Sequence, residues 1–262
     1  MKQLPYLFLN ELRRMRTLWW SYRVSAISSL LLHAAIFPVL MLLFQNLADR
    51  HGAAYGSSRQ LDSLLGFLVW YLCMKLLSAM PRMIEEEARV GTLATLFLSP
   101  WSLLQIVLLR TAVLALRYFG ETAVLALLLT TILQLPLPLT PLSWLIIFLT
   151  LIGTVGIGLA LTGLALVYKS VGPVVTLFSN LALLVSGALI PIHSMPTVFT
   201  VLKFTFPTVW GIELLRKTAV SSSGVVYLPG LFLQTMIFIC TGVWGFAYAL
   251  AQTRHLGNLS TH

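Results

Sequence analysis

The feature that most constrains this sequence is a series of apolar runs long enough to cross a membrane. The first run, residues 24–48, contains no Asp, Glu, Lys or Arg. As an α-helix rising about 1.5 Å per residue, it would span the roughly 30 Å hydrocarbon core of a bilayer. Over the whole chain only 10% of residues are charged, whereas soluble domains carry about 25%. The sequence therefore predicts an all-α integral membrane protein.

We expect one transmembrane domain, residues 1–262, with six spans. The predicted spans are residues 24–48, 62–81, 103–133, 142–168, 171–190 and 225–251. A proline-rich segment, 135–141, separates the third span from the fourth, because proline lacks a backbone donor and disfavours helix in the residue before it. An even number of spans places both termini on the same side of the membrane.

The basic residues indicate which side that is. The side with the termini would hold Lys2, Arg13, Arg14, Arg16, Arg23, Arg82, Arg89, Lys169 and Arg254, and the other side Arg50, Arg59, Lys203, Arg216 and Lys217. Cytoplasmic connections carry an excess of Lys and Arg, so we expect both termini in the cytoplasm. The formal net charge of +9 then reflects topology and anionic lipid headgroups. No nucleic-acid partner is expected, because the basic residues do not form one polar surface.

Residues 1–23 predict an amphipathic helix that lies along the membrane interface. Apolar side chains recur at helical spacing between Leu4 and Trp19, whereas Arg13, Arg14 and Arg16 fall largely elsewhere on the helix. Such a helix places tryptophans at headgroup depth and arginines near anionic lipid. The alternative interpretation is a solvated flank of the first span.

Residues 82–100 are the one charge-dense, helix-capable segment between long apolar runs. Glu85, Glu86 and Glu87 are consecutive there, and Arg89 follows them. These charges make a poor membrane span, and the predicted topology places the segment in the cytoplasm. We interpret it as a helix on which a cytoplasmic partner docks, with Glu87 as the expected contact. In the alternative interpretation, the carboxylates only cap a solvated helix.

Residues 191–224 are apolar but are interrupted by Pro191, Pro196 and Pro207. No fragment between these prolines is long enough to cross a bilayer, yet the segment is too apolar for an exposed loop. Two short helices that dip into one leaflet would satisfy both observations, provided that their unpaired backbone groups are buried in protein or face water. We therefore predict a re-entrant helical hairpin before the last span.

Ionisable side chains inside a span are costly and therefore informative. The third span carries Arg110, Arg117 and Glu121, and helical geometry places all three on one stripe. Arg117 and Glu121 are four residues apart and can form an ion pair. The stripe is either a structural pair, with Arg110 reaching the interface, or the polar lining of a translocation path.

Small residues in the fourth span, Gly153, Gly156, Gly158 and Gly163, predict close packing of another helix or of a second copy. No catalytic or metal-binding pattern accompanies these features. The sequence lacks the phosphate-binding GxxxxGK[ST] loop, and its histidines do not have ligand spacing. We expect that the chain is not an enzyme and binds no cofactor or metal.

Two stretches together resemble the permease subunits of ABC-2 type exporters. The coupling segment of that family resembles E-x-x-x-G-T-L-x-x-L-x-x-x-P, matched here by Glu87, Gly91, Thr92, Leu93, Leu96 and Pro100. Before the last span the family tends to show S-G-x-x-x-P, a later proline, N-P-[LT]-x-[YW] and E-x-[LI]-R. The matching positions are Ser186, Gly187, Pro191, Pro196, Pro207, Thr208, Trp210, Glu213, Leu215 and Arg216. Arg89 and Ala94 stand where the family often has acidic residues, and Phe206 replaces the usual asparagine.

The resemblance implies the permease subunit of an ATP-driven exporter in the bacterial inner membrane. It implies a homodimer or close heterodimer bound to two ATPase subunits, which would hold ATP and Mg. The residues that would couple to the ATPase are Glu85, Glu86, Glu87, Arg89, Gly91, Thr92, Leu93 and Leu96. The substrate would be an amphipathic small molecule or drug, or a lipid or lipid-linked glycan. The alternatives are an ATP-independent channel or ion-coupled carrier, and a non-transporting membrane assembly protein.

Overall fold

The computed structural model describes residues 11–14, 16, 17, 20, 21, 23–50, 57–135, 137, 139–168, 170–185, 206–220 and 226–256. Within these ranges 92% of residues are helical and none is in a strand. The helices are α1 (Arg23–Arg50), α2 (Ser57–Val90), α3 (Leu93–Phe97), α4 (Leu103–Leu133), α5 (Pro141–Val167), α6 (Gly172–Val185), α7 (Pro207–Val220) and α8 (Leu228–Leu256). The predicted all-α fold is confirmed.

Five of these helices are long and apolar enough to cross a membrane: α1, α2, α4, α5 and α8. The fifth predicted span, residues 171–190, overlaps α6, whose 14 residues rise only about 21 Å and stop short of the roughly 30 Å needed. Residues 186–190 lie outside the described ranges. The count of six spans therefore stays a prediction, whereas a multi-pass membrane protein is supported.

The helix that contains the second predicted span, residues 62–81, continues beyond it. Helix α2 continues through Pro81 to Val90, so residues 82–90 of the predicted coupling segment belong to the same helix as the span. Only the short helix α3 is separate from it. A displacement of α3 would therefore act directly on the end of α2.

Helix α2 is the centre of the bundle. In its most apolar stretch 83% of residues are buried, compared with 11% in α1 and 22% in α4. It packs against α1, α4, α5, α6 and α7. Large apolar side chains on α1 and α4 are exposed, among them Leu31, Leu116 and Leu127, which suits helices that face lipid. Movement of α2 would reach most of the other helices.

Glycines on α5 bring neighbouring helices into close contact with it. A Cβ atom at Gly156 would collide with the backbone of Phe238 on α8, and one at Gly158 would collide with the side chain of Met80 on α2. Helix α8 has its own small residue at the crossing, since a Cβ atom at Gly242 would collide with the backbone of Gly156. The close packing predicted for this span is thus provided within the chain.

The connection between α4 and α5 has well-defined ends. Ser102 caps the start of α4, and Thr140 caps the start of α5 by accepting a hydrogen bond from the Ser143 backbone N–H. Helix α4 ends at Gln134, whose φ is 53°, in the left-handed conformation common at helix ends. The proline-rich interruption predicted at 135–141 separates these two helices.

Candidate functional site

The turn between α2 and α3 is built around Gly91. Its φ is +80°, a conformation that glycine adopts without the steric cost of a Cβ atom. The Gly91 N–H donates to the Ala88 carbonyl (3.1 Å), and the Thr92 N–H donates to the Glu87 carbonyl (3.0 Å). These two bonds form a Schellman motif, which satisfies carbonyls at the helix end. The Gly-Thr pair of the sequence pattern is therefore a helix-ending device that orients α3.

Glu87 is the centre of an ion-pair network beside this turn. Its Oε1 accepts hydrogen bonds from Arg110 Nη1 (2.8 Å) and from Arg14 Nη2 (3.0 Å). Its Oε2 accepts a short hydrogen bond from the Thr92 hydroxyl. The carboxylate thus joins α2 to α4, to the α2–α3 turn and to the N-terminal helical residues around Arg14.

Glu11 completes the network. It accepts from Arg110 Nε at 3.2 Å and lies 3.7 Å from Arg14 Nη1. Two carboxylates therefore balance two guanidinium groups, which offsets the cost of removing these charges from water. The Arg110 and Glu87 side chains are only 12% and 11% exposed, so both depend strongly on their partners. We call Glu11, Arg14, Glu87 and Arg110 the four-residue network.

The three consecutive carboxylates lie in three different environments. Glu85 Oε1 accepts a hydrogen bond from the Val171 N–H at 2.7 Å, which ties α2 to the start of α6, where a negative charge is favourable. Glu86 is exposed, and Glu87 is buried in the four-residue network. Of the three, Glu86 is therefore the one most accessible to another protein.

An exposed surface remains on the end of α2 and on α3, and we call it the α2–α3 surface. It consists of Glu86, Arg89, Val90, Ala94, Thr95 and Leu98. Val90 and Leu98 are apolar but 70% and 85% exposed; Val90 is the last residue of α2, and Leu98 follows directly after α3. Leu93 is buried and Leu96 is partly buried against the core, so they anchor α3 beneath this surface.

Part of the predicted re-entrant hairpin can be located. Pro207, Trp210, Glu213 and Arg216 lie on α7, whereas Ser186, Gly187, Pro191 and Pro196 lie outside the described residues. Arg216 Nε donates to the carbonyl of Asp62, near the start of α2, at 3.1 Å. Glu213 pairs with Lys217 at 3.2 Å. The helix predicted to precede α7 lies outside the described residues, so the re-entrant hairpin stays a prediction.

Helix α7 packs closely on α5, which explains the small residue between Trp210 and Glu213. A Cβ atom at Gly211 would collide with the side chain of Thr150 on α5. The Trp210 ring lies against Gly230 on α8. Helix α7 is therefore fixed to α5 and α8 as well as to α2.

The predicted charged stripe on α4 divides into two parts. Arg117 Nε and Glu121 Oε1 form the expected pair at 2.9 Å, whereas Arg110 belongs to the four-residue network. Seven residues separate the two arginines, or about 10 Å along the helix.

In the part of the chain that the structure describes, no group of three or more His, Cys, Asp or Glu side chains could hold a metal ion.

Sequence reasoning missed the partners of Glu87. Arg14 was expected to face lipid headgroups, and Arg110 to belong with Arg117. A buried carboxylate does require cations, but nothing in the sequence pairs residues 73 positions apart, as Arg14 and Glu87 are. The available signal was only the surplus of arginines near the same predicted membrane face.

Comparison with models of protein families gives a match. The family model described as ABC-2 type transporter matches residues 6–220, which include the four-residue network, the α2–α3 surface and α7. A search of curated proteins found no match.

Proposed function

Because this chain belongs to the ABC-2 type transporter family, we propose that it is the permease subunit of an ATP-driven exporter. The chain is a multi-pass membrane protein, and members of this family are the transmembrane component rather than the ATPase. In the proposed complex two ATPase subunits bind ATP and Mg and act on two permease copies, identical or closely related. Both termini and the α2–α3 turn face the cytoplasm of a bacterial cell, and the complex lies in its inner membrane.

The α2–α3 surface is the proposed docking site for the ATPase. It combines two exposed apolar side chains, Val90 and Leu98, with the charged Glu86 and Arg89. An apolar centre with a polar rim is typical of protein interfaces. Exposed apolar side chains on a cytoplasmic turn have no lipid to cover them, so a protein partner accounts for them best.

The four-residue network carries the proposed coupling mechanism. When the ATPase subunits close on ATP, they displace α3, and the Schellman turn passes this displacement to the end of α2. Glu87 links the same point to Arg110 on α4 and to Arg14 in the N-terminal segment. The three elements would therefore move as one body, a common form of transition between two states. The observation that carries the proposal is this position of Glu87.

The proposed substrate is an amphipathic small molecule or drug, or a lipid or lipid-linked glycan. It would pass between the two permease copies toward the outer leaflet or the exterior. The predicted re-entrant hairpin, with Pro207, Trp210, Glu213 and Arg216 on α7, would border the outer end of that path.

Co-purification tests the docking site. The permease is co-expressed with a candidate ATPase that has a Walker A motif, and Leu98→Asp is compared with Leu139→Asp. Leu139 is an exposed leucine in the α4–α5 connection, at the opposite end of these helices. We expect Leu98→Asp to lower the recovered ATPase and substrate-stimulated ATP turnover at least tenfold, because it places a charge in an apolar contact, and Leu139→Asp to change neither.

Two results would contradict the proposal. One is normal ATPase recovery and turnover with Leu98→Asp. The other is transport by the purified permease alone, without ATP, which would favour the channel or ion-coupled carrier. A chain that binds an ATPase but supports no transport would instead fit an assembly protein.

A further inference from the structure

A second group of polar side chains lies deep in the bundle, away from the four-residue network. Helix α1 contributes Ser29 and His33, α2 contributes Tyr71 and Lys75, and α4 contributes Arg117 and Glu121. Lys75 Nζ donates to Ser29 Oγ at 2.5 Å and lies 5.2 Å from the centre of the Tyr71 ring. We call these six residues the inner polar cluster.

The depth of this cluster follows from the contact between Glu87 and Arg110. Lys75 precedes Glu87 by twelve residues on α2, and Glu121 follows Arg110 by eleven on α4, so each lies about 16–18 Å further into the bundle. Both helices run from that contact in the same direction. With that contact at the cytoplasmic surface, as proposed above, the cluster would lie near the middle of a hydrocarbon core of about 30 Å.

The charges of the cluster do not balance. Lys75 and Arg117 are cations, and Glu121 is the one carboxylate among the six residues of the cluster. Glu121 is paired with Arg117 at 2.9 Å, whereas the direct contacts of Lys75 are a hydroxyl and an aromatic ring. Arg82, further along α2, adds positive charge. An excess positive charge at this depth is unfavourable unless an anion accompanies it.

An independent observation points to a missing partner at the same place. The Tyr71 side chain is 1% exposed, and its hydroxyl, which lies near Ser29, has no hydrogen bond of normal geometry among the residues that the structure describes. A buried hydroxyl without a partner costs free energy. The His33 ring packs edge-on against Tyr71 with centroids 4.7 Å apart and is held by the Ser29 carbonyl, so the tyrosine is fixed in position.

We propose that the inner polar cluster binds the anionic head group of an amphipathic molecule, a phosphate or a carboxylate, with Lys75 and the Tyr71 hydroxyl as its donors. The ammonium would supply the charge and the hydroxyl a second hydrogen bond. Lys75 is only partly buried and the Arg117 side chain is 24% exposed, so the cluster is reachable from outside the bundle. The apolar part of the ligand would lie along the exposed face of α1 or α4. This inference deepens the proposed function, on which it rests, by giving the transported amphipath an anionic head.

A binding assay on the purified chain in phosphatidylcholine nanodiscs tests the proposal without any ATPase. The probes are radiolabelled hexadecyl phosphate and palmitate as anionic amphipaths, monopalmitin as a neutral one, and inorganic phosphate as the free anion. We expect the two anionic amphipaths to bind wild-type protein more tightly than monopalmitin. Comparing phosphate with carboxylate identifies the preferred head group.

Variants then assign the donors. Lys75→Met should weaken binding of the anionic amphipaths by about tenfold or more, because it removes a charge-assisted hydrogen bond, and Lys75→Arg should retain most of it. Tyr71→Phe removes only the hydroxyl, should leave the fold intact, and should weaken binding about two- to tenfold. Arg23→Gln, which removes an exposed cation at the start of α1, is the control and should change nothing.

Three results would overturn the proposal. The first is that monopalmitin binds as tightly as the anionic amphipaths. The second is that Lys75→Met and Tyr71→Phe both leave the binding of the anionic amphipaths unchanged. The third is that inorganic phosphate binds as tightly as hexadecyl phosphate. If Lys75→Met does not fold, Tyr71→Phe alone decides the outcome. Because the assay contains no ATPase, its failure leaves the docking experiment unaffected, and a failure of docking leaves this result standing.

Discussion

Replacing Glu87 by glutamine should destabilise the protein by about 2 kcal/mol. The change keeps the shape of the side chain but removes the charge that Arg110 faces at 2.8 Å. Breaking one side of a buried pair costs about 3–5 kcal/mol, and the remaining pair between Arg110 and Glu11 at 3.2 Å lowers that cost. Loss of the pair with Arg14 adds less than about 1 kcal/mol to the cost of the substitution, since the Arg14 side chain is 49% exposed.

A double-mutant cycle isolates the pair. Unfolding in mixed micelles with increasing SDS is followed by circular dichroism for Glu87→Gln, for Arg110→Gln and for the double variant. The double variant should be at least about 1 kcal/mol more stable than the sum of the single changes predicts, because the residues interact directly. Glu86→Gln is the matched control on the same helix. Because Glu86 is exposed, its replacement should shift stability by no more than about 0.5 kcal/mol.

Two outcomes would refute this reasoning. If Glu87→Gln costs no more than Glu86→Gln, the carboxylate is not part of a buried network. If the two single changes add within about 0.3 kcal/mol, Glu87 and Arg110 do not contact each other in the membrane-embedded protein. Either result would remove the link between the α2–α3 turn and α4.

Three further predictions use the same unfolding assay. Gly91→Ala should lower the free energy of unfolding by about 1 kcal/mol, because φ is +80° at this position. A Cβ atom there meets nothing within 4 Å, so no steric clash adds to this cost. Unchanged stability would contradict the left-handed turn at Gly91. Gly156→Ala should lower the free energy of unfolding by more than about 2 kcal/mol, because the added methyl group collides with α8. Gly120→Ala is the control: a Cβ atom there lies in open space, so the change should leave stability the same or raise it. Equal effects of the two changes would contradict the close packing of α5 on α8. Glu85→Gln should lower the free energy of unfolding by about 0.5–1 kcal/mol, because it removes a negative charge from the start of α6. Unchanged stability would show that this charge does not stabilise α6.

The sequence was informative wherever one local rule decided the structure. The third predicted span, residues 103–133, coincides with α4, because a long, largely apolar run without proline ends at a proline-rich segment that disfavours helix. Gly156 was recognised as a close-packing residue for a similar reason. Such features depend on neighbours along the chain, which the sequence displays directly.

Long-range contacts could not be predicted in the same way. Proline at position 81 suggested a boundary, yet α2 passes through it to Val90, and one face of that segment, with Ile84 and Glu87, is buried against the bundle. Glu87 was expected to face a partner but is buried against Arg110 and Arg14. The sequence shows that a charge needs compensation, but not which of several distant cations provides it.

Photo-crosslinking at Leu98 tests the central claim most directly. Benzoylphenylalanine replaces Leu98, or Leu139 as the control, and the permease is co-expressed with its candidate ATPase and irradiated with and without ATP. We predict a covalent permease–ATPase product from position 98, with a yield that changes on ATP addition, and none from position 139. Equal yields from the two positions, or no product from position 98 while the ATPase still co-purifies, would contradict docking at the α2–α3 surface.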